Sequence, residues 1–113
     1  MITVDGLAER CGFRQLTHLP VRNRAVRGAI VCDLLSMVLA EGREGLLWIT
    51  VQTHLAVIGI ACRHDLAGVI VVGGTVVPSA TLARAEAEGM PVFATEKTAF
   101  CLCGDLREAG VCG

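Results

Sequence analysis

Tyrosine is absent from this chain, and one Trp and three Phe stand alone among 113 residues. Aromatics at 4% leave no platform on which unpaired bases could stack. Charge is scarce as well: 19% of residues are charged, and the formal net charge is -1. With a pI near 6.3, the chain lacks the basic field that draws proteins to nucleic acid. No secretory leader is expected, since Met1 to Arg10 holds acids and no long apolar run.

What the chain has instead is apolar mass. Apolar residues make up 53% of it and the mean hydropathy is +0.61, which excludes a disordered tail. At 11.9 kDa it is the size of one domain, and folding at that size hides roughly two-thirds of the unfolded surface. Two stretches, Gly45 to Cys62 and Leu66 to Ala83, carry no Asp, Glu, Lys or Arg and approach the roughly 20 residues of a spanning helix. Thr50, Gln52, Thr53 and His54 interrupt the first, and Gly73, Gly74, Pro78 and Ser79 the second. Each reads as a buried strand running into the start of a helix, so no membrane partner is expected. The cysteines Cys11, Cys32, Cys62, Cys101, Cys103 and Cys112, with no leader ahead of them, point to reduced thiols and a cytoplasmic location.

From about residue 27 onward, strand-like and helix-like segments alternate. Apolar runs over Gly28 to Cys32, Leu46 to Val51, Val69 to Val72 and Pro91 to Ala94 predict strands. Helices are predicted over Leu34 to Glu41, Thr53 to Arg63, Ser79 to Glu88 and Lys97 to Ala109. Asp33, Thr53, Ser79 and Thr95 stand where N-caps belong, and Gly42, Gly89 and Gly110 where helices end. Repeated units of this kind imply a single α/β domain over residues 1–113: a mostly parallel sheet of about four to five strands flanked by helices. Residues 1–26 differ, with an amphipathic helix over Val4 to Arg10 and an edge strand within Phe13 to Leu19.

Parallel α/β sheets bind ligands beyond the carboxyl ends of their strands. Those ends are polar here: Asp33 and Ser36, then Gln52, Thr53 and His54, then Gly73 and Gly74, then Thr95 and Glu96. Asp33, Ser36, Thr53, His54, Gly73, Gly74 and Thr95 are the candidate ligand-binding residues, for a small anion or nucleotide held by helix N-termini. Helix capping is the stronger alternative reading of Asp33, Thr53 and Thr95. His54 is the one histidine placed for chemistry, yet no Ser or Cys nucleophile with a partner motif accompanies it. His18 and His64 read as surface residues. The patterns GxxxxGK[ST] and GxGxxG are both absent, so no nucleotide cofactor is expected and Gly73-Gly74 reads as a turn. Cys101, Cys103 and Cys112 are the sharpest metal or redox alternative. Cys101 and Cys103 lie two apart on a predicted helix, however, which sends them to different faces, and four-ligand spacing is missing.

Three segments together resemble the DRTGG domain family, related to the N-terminal domain of HPr kinase/phosphorylase. They are Gly28-Ala-Ile-Val-Cys-Asp33-Leu-Leu-Ser36, Trp48-Ile-Thr50-Val-Gln-Thr-His54-Leu, and Ala85-Glu-Ala-Glu-Gly89-Met-Pro91-Val with Thr95 beyond. The family's name motif falls on Asn23-Arg24-Ala-Val-Arg27-Gly28-Ala29, where Arg24 and Gly28 match. Asn23, Arg27 and Ala29 depart from it, as does Ala56 two residues after the histidine. The resemblance implies a regulatory or dimer-forming module without catalytic activity. In its stand-alone form the chain is similar to small proteins encoded near iron-only hydrogenase genes, which would supply a protein partner. The expectation is a non-enzymatic, homo-oligomeric regulatory module. A nucleotide or anion sensor and a cysteine-based accessory protein are its alternatives.

Overall fold

Every strand predicted from an apolar run forms, and the sheet they build positions the rest. The computed structural model describes residues 1–113. Helix α1 (Val4–Cys11) leads through the short strand β1 (Arg14–Gln15) and a strap to β2 (Gly28–Val31). Then follow α2 (Leu35–Glu41), β3 (Leu46–Thr50), α3 (Leu55–Arg63), β4 (Gly68–Val71), α4 (Ser79–Glu88), β5 (Val92–Ala94) and α5 (Ala99–Glu108). The order across the sheet is β1-β5-β4-β3-β2. Strands β2 to β5 are parallel neighbours, and β1 closes the far edge antiparallel to β5, with Arg14 opposite Ala94. The fold is thus an α/β domain built on a mostly parallel sheet. Both uncharged stretches divide between a strand and a helix, and no helix is long and apolar enough to cross a membrane.

Each parallel crossover advances by one strand, so crossovers of one hand stack α2, α3 and α4 on one face. There Val38, Val57, Ile58 and Ala85 pack on Leu46, Trp48, Val69, Val71 and Val92. The opposite face carries Leu47, Ile49, Ile70 and Phe93, because side chains alternate along a strand. Helices α1 and α5 cover it with Val4, Leu7, Cys11, Leu102 and Leu106. Phe13 meets Phe93 edge to face, ring centroids 5.2 Å apart, in an arrangement favoured by the ring quadrupoles. Trp48 is fully buried and its indole N–H donates to the Cys32 carbonyl at 2.7 Å, so its polar atom is satisfied.

The capping residues depart from the sequence prediction. Leu34, His54, Pro78 and Thr98 occupy the N-cap positions expected for Asp33, Thr53, Ser79 and Thr95. The reason is common to Asp33 and Thr95: the first polar residue after the strand braces the strand end, and the helix begins later. Asp33 Oδ1 accepts from Thr50 Oγ1 at 2.7 Å and from the Val51 N–H at 2.9 Å. Gly89 caps α4 in the left-handed region at φ 75°, as expected, whereas Gly42 caps α2 in an extended conformation. His64 is no free surface residue, since its Nε2 hydrogen-bonds the Leu39 carbonyl at 2.8 Å and ties α3 to α2.

Arg24 and Gly28, the two motif positions that match, both do structural work. The Arg24 guanidinium donates to the Ala67 and Leu66 carbonyls at 2.8 and 3.0 Å, anchoring the strap beside the start of β4. A Cβ on Gly28 would stand 2.8 Å from the Cys112 carbonyl oxygen. The C-terminal tail lies against β2 there, and the Ala29 N–H donates to that same oxygen at 3.2 Å.

Candidate functional site

Because β2 to β5 run parallel, their four exits share one rim of the sheet. The predicted residues all lie on it or in the helical turn beyond, but they do not form one pocket. Asp33 and Ser36 line neither rim cavity: Asp33 is engaged in bracing β3, and Ser36 is exposed on α2. The remaining residues divide between the β3 exit and the β4–β5 exits.

The β4 and β5 exits are cross-linked to each other. Gly73 and Gly74 both sit at φ 70°, a region glycine enters without steric cost. Their N–H groups are already used. Gly73 donates to the Lys97 carbonyl at 2.8 Å and Gly74 to the Thr95 carbonyl at 3.0 Å. Thr95 is buried; its hydroxyl donates to the Gly12 carbonyl and accepts from the Lys97 N–H, both at 3.2 Å. Lys97 Nζ donates to the Cys11 carbonyl at 2.7 Å and to Asp105 at 2.6 Å. The Asp105 hydrogen bond holds the Lys97 pKa above its ordinary value, and the ammonium sits at the C-terminal end of α1, where a cation is favoured.

Helix α4 leaves β4 toward one face and α5 leaves β5 toward the other, so a crevice opens between these two exits, as at any topological switch point. It measures about 300 Å³ and is lined by Arg14, Gly74, Thr75, Thr95 and Glu96, among others. The Glu96 carboxylate lies directly over Gly74. An acid and a pair of spent amide donors make this a poor seat for an anion.

The other cavity lies between the β3 exit and the start of α4. Its volume is about 420 Å³, and Gln52, Thr53, His54, Leu55, Pro78 and Thr81 are among its lining residues. Two helices begin here, α3 and α4, and neither has an acidic residue in its first turn. The partial positive charge of both N-termini therefore faces the cavity without a carboxylate to offset it. Pro78 gives α4 no side-chain cap, which leaves its leading amides without a side-chain acceptor. His54 Nδ1 accepts from the Ala56 N–H at 3.0 Å, so the ring hydrogen sits on Nε2 as a donor. Thr81 is buried and donates to the Thr53 carbonyl at 2.7 Å, which fixes the spacing of the two helix starts.

Thr81, Pro78 and Arg14 escape the sequence prediction. The strand-exit rule reaches only the first few residues after each strand, and Pro78 and Thr81 lie beyond that reach. Arg14 arrives through the long-range pairing of β1 with β5, for which no local signal exists. The cysteines do not converge, for no group of three or more His, Cys, Asp or Glu side chains is gathered anywhere in the chain. Burial raises the thiol pKa of Cys11, Cys62 and Cys103, which keeps them protonated and weakly nucleophilic.

No protein-family model matches the chain, and no curated protein does. One solved structure that resembles it is that of the CBS and DRTGG domains of the regulatory region of Clostridium perfringens pyrophosphatase, complexed with the activator diadenosine tetraphosphate. The match has a TM-score of 0.66 at 12% sequence identity and covers 90% of this chain. The chain corresponds to 44% of that protein's crystallised length. What the two demonstrably share is the fold.

Proposed function

We propose that this chain is a non-enzymatic regulatory module that self-associates and senses a small anionic ligand, a nucleotide or a free phosphate-like anion. The observation that carries the ligand reading is the acid-free cavity on which the N-termini of α3 and α4 converge, with His54 Nε2 and Thr53 beside them. Its volume of about 420 Å³ lies within the range of small-molecule sites, about 300–1,000 Å³. The crystallised Clostridium perfringens regulatory region, of which this fold corresponds to 44%, is complexed with the activator diadenosine tetraphosphate, which supports a ligand of the same chemical class. The absence of a nucleophile paired with a base supports a binding role over a catalytic one. The hydrogenase-linked resemblance indicates the system in which a protein partner is to be sought.

Thermal unfolding in the presence of phosphate, AMP, ATP and diadenosine tetraphosphate tests the ligand reading. A ligand at a hundred times its dissociation constant adds about 2.7 kcal/mol of stability, a shift of several degrees for a domain of this size. Loss of that shift in His54→Ala would place the ligand in the acid-free cavity. A panel in which none of the four raises the melting temperature refutes the proposal.

A further inference from the structure

We infer that the crevice between the β4 and β5 exits binds a free α-amino acid with an aliphatic side chain, at a site separate from the acid-free cavity and independent of the anion reading. Strand β1, paired with β5, supplies one wall of it. Side chains alternate along a strand, so Arg14 and Leu16 face the same way, into the space of about 300 Å³ that both line. Arg14 stands opposite Ala94, and Glu96 follows two residues further along the chain. One full charge of each sign therefore lines the same crevice. The two do not pair with each other, for the ion pairs of the molecule are Arg27 with Glu44, Arg84 with Glu88 and Lys97 with Asp105. They belong to different walls: the Glu96 carboxylate rests over Gly74 on the β4 side, whereas Arg14 extends from β1.

These features select the ligand. The Gly73 and Gly74 amides are bonded to carbonyls of their own chain, and the Thr75 hydroxyl donates to the Val72 carbonyl at 3.1 Å. Recognition therefore falls to the two charged side chains. A simple anion would be repelled by Glu96 and a simple cation by Arg14, while a zwitterion satisfies both. Its carboxylate can take two parallel hydrogen bonds from the Arg14 guanidinium, and its ammonium can donate to Glu96. Leu16, Val77 and Leu82 supply an apolar part of the lining, each packed against the core on the α2–α4 face, which suits an aliphatic side chain. The volume stands at the lower end of the range for small-molecule sites, about 300–1,000 Å³, and so favours a single small metabolite. Both charged residues are exposed, where water weakens each contact, so the affinity is modest.

Amide chemical-shift titration of the full chain by NMR tests the inference. The probes are L-leucine, glycine, and two leucine analogues: 4-methylpentanoate, which lacks the ammonium, and 3-methylbutylamine, which lacks the carboxylate. We expect leucine to bind with a dissociation constant below about 1 mM, shifting the amides of the β1, β4–α4 and β5–α5 segments, and the other three to bind about tenfold more weakly or worse. Arg14→Gln and Glu96→Gln change exposed side chains, and each should weaken leucine about tenfold. Each should also lose one discrimination: Glu96→Gln between leucine and 4-methylpentanoate, and Arg14→Gln between leucine and 3-methylbutylamine. Variants that weaken leucine yet keep both discriminations overturn the assigned contacts, and glycine binding as well as leucine overturns the aliphatic requirement. His54→Ala should leave leucine binding unchanged, and its loss there would move the ligand to the other cavity and reject this site. No leucine response at about 10 mM, ten times the expected limit, overturns the inference outright and leaves the nucleotide panel to decide the anion reading by itself.

Discussion

The two halves of the strand-exit rim start from similar sequence and end in opposite states. At β4 and β5 the loop amides donate to backbone carbonyls, and Thr95 and Lys97 carry the linkage on to α1 and α5. At β3 two helices open toward solvent with no side-chain cap on α4 and no acid in either first turn. Both halves hold small polar residues near a helix start, the pattern that suggests anion binding. The difference lies in what the donors already bond. A rim amide spent on its own chain is architecture, and one left without an acceptor is available to a ligand.

The largest expected effect that would break this comparison is on the closed half. Gly74→Ala places a Cβ at φ 70° and against the carboxylate of exposed Glu96, which must swing aside, and should cost about 1–3 kcal/mol. Gly73→Ala shares the φ but meets open space, and should cost about 1–2 kcal/mol. Equal losses in urea denaturation would show that the Glu96 contact is unimportant.

Next come the two buried threonines, one on each half. Thr95→Val and Thr81→Val each strand a backbone carbonyl and should each cost about 1–3 kcal/mol. They should differ in ligand response: Thr95→Val keeps the thermal shift given by the wild-type ligand, and Thr81→Val, which unties the two helix starts, diminishes it. His54→Ala should have a smaller effect on stability, about 0.5–1 kcal/mol for a lost cap, and abolish the shift.

The smallest effect appears only in alkali. Lys97 has its folded pKa raised above the ordinary 10.5, so its ion pair contributes stability below pH 10.5 that is lost as pH rises through the folded value. The stability difference between wild type and Lys97→Met should be constant at neutral pH and shrink above 10.5. Comparing the two proteins removes the buried thiols, whose own raised pKa values erode stability from about pH 9 in both. A difference that stays constant through pH 12 would mean that the lysine acts by packing alone.

Much of the fold is legible in the sequence, because β-branched runs and intervening helical stripes are local signals. Gly28 to Val31, Leu46 to Thr50 and Ser79 to Glu88 fall where those signals put them. The site is less legible, since it depends on hydrogen bonds between loops distant in sequence. Nothing local tells that Asp33 turns back to Thr50, that Thr81 reaches Thr53, or that Thr95 meets Gly12. A polar residue after a strand can cap a helix, brace a strand or face a ligand, and only the partners decide which.

The pairing of Arg14 with Ala94 has a consequence for the chain as it is made. The amphipathic segment ending at Phe13 leaves the ribosome before the sheet, and part of the surface that shelters it, Phe93, Leu102 and Leu106, is translated only after the intervening strands. The β2–α4 units can assemble on neighbours already made, while Val4, Leu7, Cys11 and Phe13 wait uncovered. The nascent domain is therefore sealed by its earliest-made helix, and that interval is when this greasy segment is open to chaperones and to aggregation.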